Sequence, residues 1–273
     1  MKKVFAPILA AMVAIAGLVL VLQSGQDPAR AAENAAAPAA AQAGEAASPG
    51  AAAIQRAAAA GKHLFVFFYE GDGEETKTAR KAFEAAVAKL SAAADWVAVD
   101  RTVPAEKALV EKFGIQRAPV PLIVALAPNG VVTGGSLASE VTEEKLKGSI
   151  ASAAMQKCLK ALQERKFVLL CVQNGETKYN EPALRGAQDF KADAKYGPIT
   201  EIVTLDPADP AEASFLAKLG VDPKTDEATT VFLAPPGVTV ARIKGATDSR
   251  TLLATLQKAA ASCGSSCGPA TGG

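Results

Sequence analysis

The stretch His63-Leu64-Phe65-Val66-Phe67-Phe68-Tyr69, followed by Glu70-Gly71-Asp72-Gly73-Glu74-Glu75-Thr76, decides the fold. Its first half is an unbroken apolar and aromatic run, the pattern of a strand covered on both faces. Its second half is an acidic turn. Beyond Lys77, residues Ala82, Phe83, Ala86, Val87 and Leu90 share one helical face, so the turn leads from a buried strand into an amphipathic helix. Asp72 and Glu75 have the spacing of a capping box. A helix N-terminus stabilises a thiolate, and redox proteins place reactive cysteine pairs at such junctions. Here the junction holds no cysteine.

Outward from this stretch the elements alternate. Ile54 to Ala60 reads as a short helix closed by Gly61. Trp96 to Asp100 is a second strand, Ala105 to Phe113 a second helix closed by Gly114, and Pro121 to Ala127 a third strand. Pro128-Asn129-Gly130 supplies the positive φ of a hairpin turn, and Val131 to Thr133 returns as a fourth strand. Thr142 opens a helix expected to run to Leu162.

In this order three segments resemble the thioredoxin family: residues 60–69, Ala-Gly-Lys-His-Leu-Phe-Val-Phe-Phe-Tyr; Phe113-Gly-Ile-Gln-Arg-Ala-Pro-Val-Pro-Leu122; and Ala127-Pro-Asn-Gly130. The resemblance covers about residues 54–162. It implies that Pro119 is the family's cis-proline, and that Ala118, Pro119 and Val120 form a segment against which extended peptides pair. It places the family's Cys-x-x-Cys at Gly73 to Thr76, where this chain has Gly73, Glu74, Glu75 and Thr76. Dithiol exchange needs a thiolate, so the resemblance implies a fold without the family's catalysis at that turn.

The pattern then recurs. Lys166 to Val172, Ile199 to Leu205, Thr229 to Ala234 and Val238 to Lys244 read as strands; Tyr179 to Phe190, Ala211 to Leu219 and a run from Asp248 read as helices. Leu126-Ala-Pro-Asn-Gly-Val131 is matched by Leu233-Ala-Pro-Pro-Gly-Val238, and Glu111-Lys-Phe-Gly-Ile115 by Ala217-Lys-Leu-Gly-Val221, which is a domain duplication. The expected fold is α/β: tandem thioredoxin-like domains at 54–162 and 163–262, each a central mixed sheet flanked by helices. In the second copy the dithiol positions fall near Gly175 and Lys178, and the proline is missing from Asp226-Glu-Ala-Thr-Thr230.

The ends carry the rest. Met1-Lys2-Lys3 precedes an uncharged, almost wholly apolar run, Val4 to Leu22, which reads as a signal peptide or a membrane anchor. Ala29-Arg30-Ala31 has the form of a cleavage site. Either reading exports the chain, to the periplasm of a bacterial cell envelope if tethered, or outside if cleaved. Residues 23–53 are alanine-rich and low in branched apolar residues, and are expected to be a disordered linker.

A net charge of +1 gives no electrostatic case for nucleic-acid binding. The single histidine, His63, removes multi-histidine metal sites and reads as a strand-end residue. Glu70, Asp72, Glu74 and Glu75 lack the spacing of a calcium loop and read as helix-start carboxylates. No cofactor or metal is expected. Cys158 and Cys171 read as core residues, with a bridge between them conceivable. Cys263-Gly-Ser-Ser-Cys267, in a flexible tail 263–273, leaves three alternatives: a passive disulfide, a redox-active pair, or half of a soft-metal site. The expected function is therefore binding of a protein or peptide partner rather than catalysis. The alternative is a thiol–disulfide or metal-handling protein working through Cys263 and Cys267.

Overall fold

β1 (His63–Tyr69) is the inner strand of a four-stranded sheet of order β2-β1-β3-β4. It runs parallel to β2 (Ala94–Asp100) and antiparallel to β3 (Leu122–Leu126), which pairs antiparallel with β4 (Val132–Leu137). Being flanked on both edges, it alternates between two apolar faces. Leu64, Val66 and Phe68 face a cluster with Ala53, Leu109, Phe113 and Ile115; Phe65 and Phe67 face one with Ala79, Phe83, Val87 and Leu146. The helices supplying these side chains are α1 (Pro49–Ala59) and α3 (Lys107–Lys112) on one face, and α2 (Glu74–Ala88) and α4 (Glu143–Gly148) on the other.

The arrangement is then repeated. Helix α5 (Ala153–Gln163) precedes β5 (Phe167–Val172); α6 (Asn180–Lys191), β6 (Thr200–Leu205), α7 (Ala213–Leu219), the hairpin β7 (Thr229–Ala234) and β8 (Val238–Lys244), and α8 (Ser249–Gly264) follow. The second sheet has the order β6-β5-β7-β8 with the same strand directions. Even the hairpin bulge recurs, after Ala125 in one sheet and after Phe232 in the other. Each half therefore has a parallel pair joined through a helix, then an antiparallel hairpin, and the tandem thioredoxin-like architecture stands on that topology.

The computed structural model describes residues 48–264. The anchor or signal segment 1–22, linker residues 23–47 and Cys267 lie outside the described residues. Cys263 falls in the last turn of α8 rather than in a tail that starts at that residue. No helix among the described residues is long and apolar enough to cross a membrane.

Two expectations about helix ends need correction. Residues 48–53 are not linker: Ser48 caps α1 by accepting from Ala51 N at 2.9 Å, and Gly50 and Ala53 are buried. A Cβ at Gly50 would lie 2.5 Å from Leu109 Cδ2 and 2.8 Å from Glu106 Oε2, so glycine here is a packing requirement and not a sign of flexibility. The helix expected from Thr142 to Leu162 is two helices. Thr142 caps α4, which ends at Gly148, and Ser152 caps a fresh start at α5. Ala154, Cys158, Ala161 and Leu162 of α5 pack in the core of the second sheet, so that core begins nine residues before the expected domain start at 163.

One device is used twice. Glu106 is buried and accepts from Ser48 Oγ and from Gly50 N at 2.9 Å. Glu212 is buried and accepts from Ser152 Oγ and from Ala154 N at 2.9 Å. In each half a carboxylate from the 3₁₀ turn ahead of α3 or α7 closes the N-terminus of the first helix, meeting the orphan amides with negative charge.

Candidate functional site

The site lies where β1 ends, at the turn Glu70 to Gly73, opposite the segment that leads into β3. The turn is held from below by Arg80 of α2, whose guanidinium sits 4.4 Å from the Tyr69 ring centre and 3.9 Å from Asp72 Oδ1. The expected capping box does not form. The N-cap is Gly73, with extended backbone and no side-chain hydrogen bond, because Asp72 faces Arg80 instead. Glu74 and Glu75 occupy the first turn of α2, where they complement its dipole. Of the two positions where the family carries sulfur, Gly73 is exposed with open space where a Cβ would project, and Thr76 is buried.

The facing segment is tied to this turn by one residue that sequence reasoning passed over. Arg101, just after β2, donates from Nε to Glu70 Oε2 at 2.7 Å and from Nη1 to Ala118 O at 2.8 Å and Ile115 O at 3.3 Å. A planar guanidinium with several fixed donors suits this bridging of two loops. The cis bond is Val120–Pro121, so the cis-proline is Pro121 and not Pro119. The two prolines stand two residues apart, and the one directly before the strand is the cis residue; Pro119 is one step too early.

In this segment Val120 is half-buried, and its N–H and C=O have no hydrogen-bond partner among the described residues. Pro119 is exposed, and Ala118, Val120 and Leu122 are partly buried against one apolar cluster, so an open backbone edge sits on an apolar rim.

The second half closes the same place. Counting back from the strand, Glu227 stands where Val120 does and Thr225 where Ala118 does. Thr225 Oγ1 donates to Glu227 O at 2.8 Å and accepts from Glu227 N at 3.4 Å, so one hydroxyl occupies both groups. On the other side of the segment, Lys178 N donates to Asp226 O at 3.0 Å and Ala228 N to Lys178 O at 2.8 Å. The turn after β5 is knotted by Asn174, whose Oδ1 accepts from Glu176 N and Thr177 N. The residue heading α6 is Tyr179, in left-handed backbone, so Gly175 and Lys178 lie in the turn before the helix rather than at its start.

The remaining expected site residues are dispersed. Cys158 and Cys171 are both free, and a bridge between them is ruled out by their placement: Cys158 faces the α5 side of the second sheet and Cys171 the α6 side. Burial pushes their thiols up, Cys158 to about 12 and Cys171 to about 11. A reactive cysteine needs an accessible thiolate. Iodoacetamide at pH 8 is therefore expected to spare both in the native protein after mild reduction and to label them only after denaturation, as mass spectrometry of the tryptic peptides will read.

No protein-family model matches this chain, and no curated protein matches it. Among solved structures, it is similar to the NTD_N/C domain of alkylhydroperoxide reductase AhpF from Enterococcus faecalis. The two are 14% identical over 74% of this chain and 97% of that one, with a TM-score of 0.27. It is also similar to the first two thioredoxin domains of Saccharomyces cerevisiae Eps1p (10% identity, 70% and 87% coverage, TM-score 0.27). Human ERp44 in its zinc-bound form is a third (10% identity, 71% and 51% coverage, TM-score 0.31). At these identities and TM-scores the likeness extends to no residue-level correspondence. Strand order, strand direction and the repeat of both sheets define the chain as two thioredoxin-like halves in tandem.

Proposed function

We propose that this is an exported peptide- or protein-binding module of the bacterial cell envelope, without thiol–disulfide catalysis at the family turn. It docks an extended segment of its partner along Val120. In this reading residues 1–22 deliver the chain and either tether it or are cleaved. The first domain spans about 48–150 and the second about 151–264. The observation that carries the reading is the difference between the halves: Val120 presents an unpaired N–H and C=O beside an apolar rim, while Thr225 and Lys178 occupy the corresponding segment of the other copy. Such an edge accepts an extended chain by main-chain hydrogen bonds, with side-chain pockets adding selectivity. The first half is then the recognition domain and the second a closed copy that supports it.

The test transplants the closure. Ala118→Thr places a hydroxyl where Thr225 has one, and Thr225→Ala removes it from the second half. Binding is read by fluorescence on an array of immobilised extended peptides of mixed sequence. Losing two main-chain bonds of about 1 kcal/mol each predicts roughly thirtyfold weaker capture by Ala118→Thr. Thr225→Ala is expected to retain binding. Equal capture by wild type and Ala118→Thr, or no capture by wild type, would overturn the reading. Insulin reduction above background that disappears in Cys263→Ser/Cys267→Ser would establish the tail pair instead.

A further inference from the structure

The only histidine of the chain sits where the two halves are joined. His63 opens β1 and is buried, and its Nε2 accepts a hydrogen bond from Ala151 N at 3.0 Å. Ala151 belongs to the connection between α4 and α5 and is itself buried. The bond continues into the second half. Ala151 O accepts from Gln156 Nε2 at 2.9 Å, and the next residue, Ser152, caps α5 and donates to Glu212. One line of contacts thus runs from the central strand of the first sheet, through an imidazole and the connection, into the core of the second. In the duplicate, the first residue of β5 is Phe167, packed on Tyr196 and Phe232. The imidazole occurs only in the first copy.

We propose that His63 is a pH-operated tie between the halves: as a neutral imidazole it holds the connection through Ala151, and on protonation it releases it. The chemistry is direct. A nitrogen that accepts from an amide must be unprotonated, with the ring proton on Nδ1. Adding a proton converts the acceptor to a donor, sets two N–H groups against each other, and places a charge in a buried site. The charged groups on the surrounding elements are largely engaged elsewhere. Lys62 pairs with Asp95 of β2 at 3.0 Å, and Lys89, the C-cap of α2, with Glu143 of α4 at 2.7 Å. Lys218 of α7 donates to Gly148 O at 3.1 Å, Glu212 receives Ser152, and Lys145 of α4 pairs with Glu140 at 3.1 Å. Lys147 is a further cation in the last turn of α4.

Burial lowers the His63 pKa from its ordinary value of 6.5. The unfolded or released chain therefore takes up the proton first as pH falls. The tie is complete above about pH 6.5 and is lost as pH drops through the lower, folded-state value. Release frees the connection while each sheet keeps its own core, so the event is local rather than global.

An NMR titration of the 15N-labelled full chain from pH 7.5 to 5 tests this. The His63 ring and the Ala151 amide are expected to titrate with one midpoint below 6.5. Protection of Ala151 from hydrogen exchange, corrected for intrinsic pH dependence, is expected to fall at least tenfold across it. Amides of β1 and β5 keep theirs. In His63→Gln, whose side-chain oxygen accepts the same bond without titrating, Ala151 is expected to stay protected throughout. Ala151 protection that is flat through the His63 titration, or a fall that persists in His63→Gln, would overturn the proposal. If H63Q does not fold, the wild-type co-titration decides alone.

Discussion

Phe83→Ala is expected to destabilise the first half by about 3–5 kcal/mol, a large share of a domain's net stability. Phe83 is fully buried and is the hub of an aromatic group on the α2 face of the sheet. Its ring centre lies 5.4 Å from Phe67, 6.5 Å from Phe65 and 5.5 Å from Trp96. Truncation removes contacts to three rings at once, and β1, fixed by neighbours on both edges, cannot collapse into the space. Urea unfolding followed by far-UV circular dichroism is expected to split into two transitions, with the second half unfolding at its wild-type midpoint. A single transition shifted as a whole would show the halves to be one cooperative unit.

Glu106→Ala is expected to cost about 3 kcal/mol, by a different route. The substitution removes a buried acceptor that serves Ser48 Oγ and Gly50 N, leaving a hydroxyl and a helix-terminal amide without partners. Hydrogen bonds to a charged acceptor are about twice as strong as neutral ones, and negative charge at this end also complements the α1 dipole. Glu106→Gln keeps the volume and one acceptor, so it is expected to recover part of the loss, whereas a pure packing role would recover nearly all. Glu212→Ala is expected to behave in the same way in the second half. Thermal melts of the three variants against wild type, with helix content at 222 nm, check both claims.

Much of the fold was readable because it rests on patterns that repeat. The runs Leu64 to Tyr69 and Lys166 to Val172 could only be inner strands, and the paired hairpins fixed the duplication. The helix starts were harder, because they depend on partners distant in sequence. Ser48-Pro49-Gly50 reads as linker until Glu106 is known to close it, although a signal was present: Pro-Ala-Glu recurs at 104–106 and 210–212, with a serine 58 residues before the glutamate in the first half and 60 before it in the second. The break at Ser149 to Ser152 was hidden by helix-compatible composition on both sides, and only capping by Thr142 and Ser152 divides it. At the candidate site α2 starts at Glu74, directly after the turn that follows β1. The cis-proline was misplaced, since Pro119 and Pro121 differ in sequence only by which one touches the strand. The role of Arg101 and the contrast between Ala118 and Thr225 are tertiary facts with no local signature.

The contact between α5 and the first hairpin also bears on self-association. Gln163 Nε2 donates to Val132 O at 2.8 Å and its Oε1 accepts from Val132 N at 3.3 Å, so one side-chain amide takes the place of a neighbouring strand. Asn129 Nδ2 adds a bond to Gln156 O at 3.3 Å. Open sheet edges template unwanted strand pairing, and proteins blunt them by covering them or by placing charge on them. This chain uses both remedies, one per copy: β4 is covered by the helix of the following half, and terminal β8 carries Arg242 and Lys244. Separating the halves would therefore be unequal in its effects. The second, with its charged edge, is suited to life alone, while the first would be left with an uncovered strand that invites a second molecule.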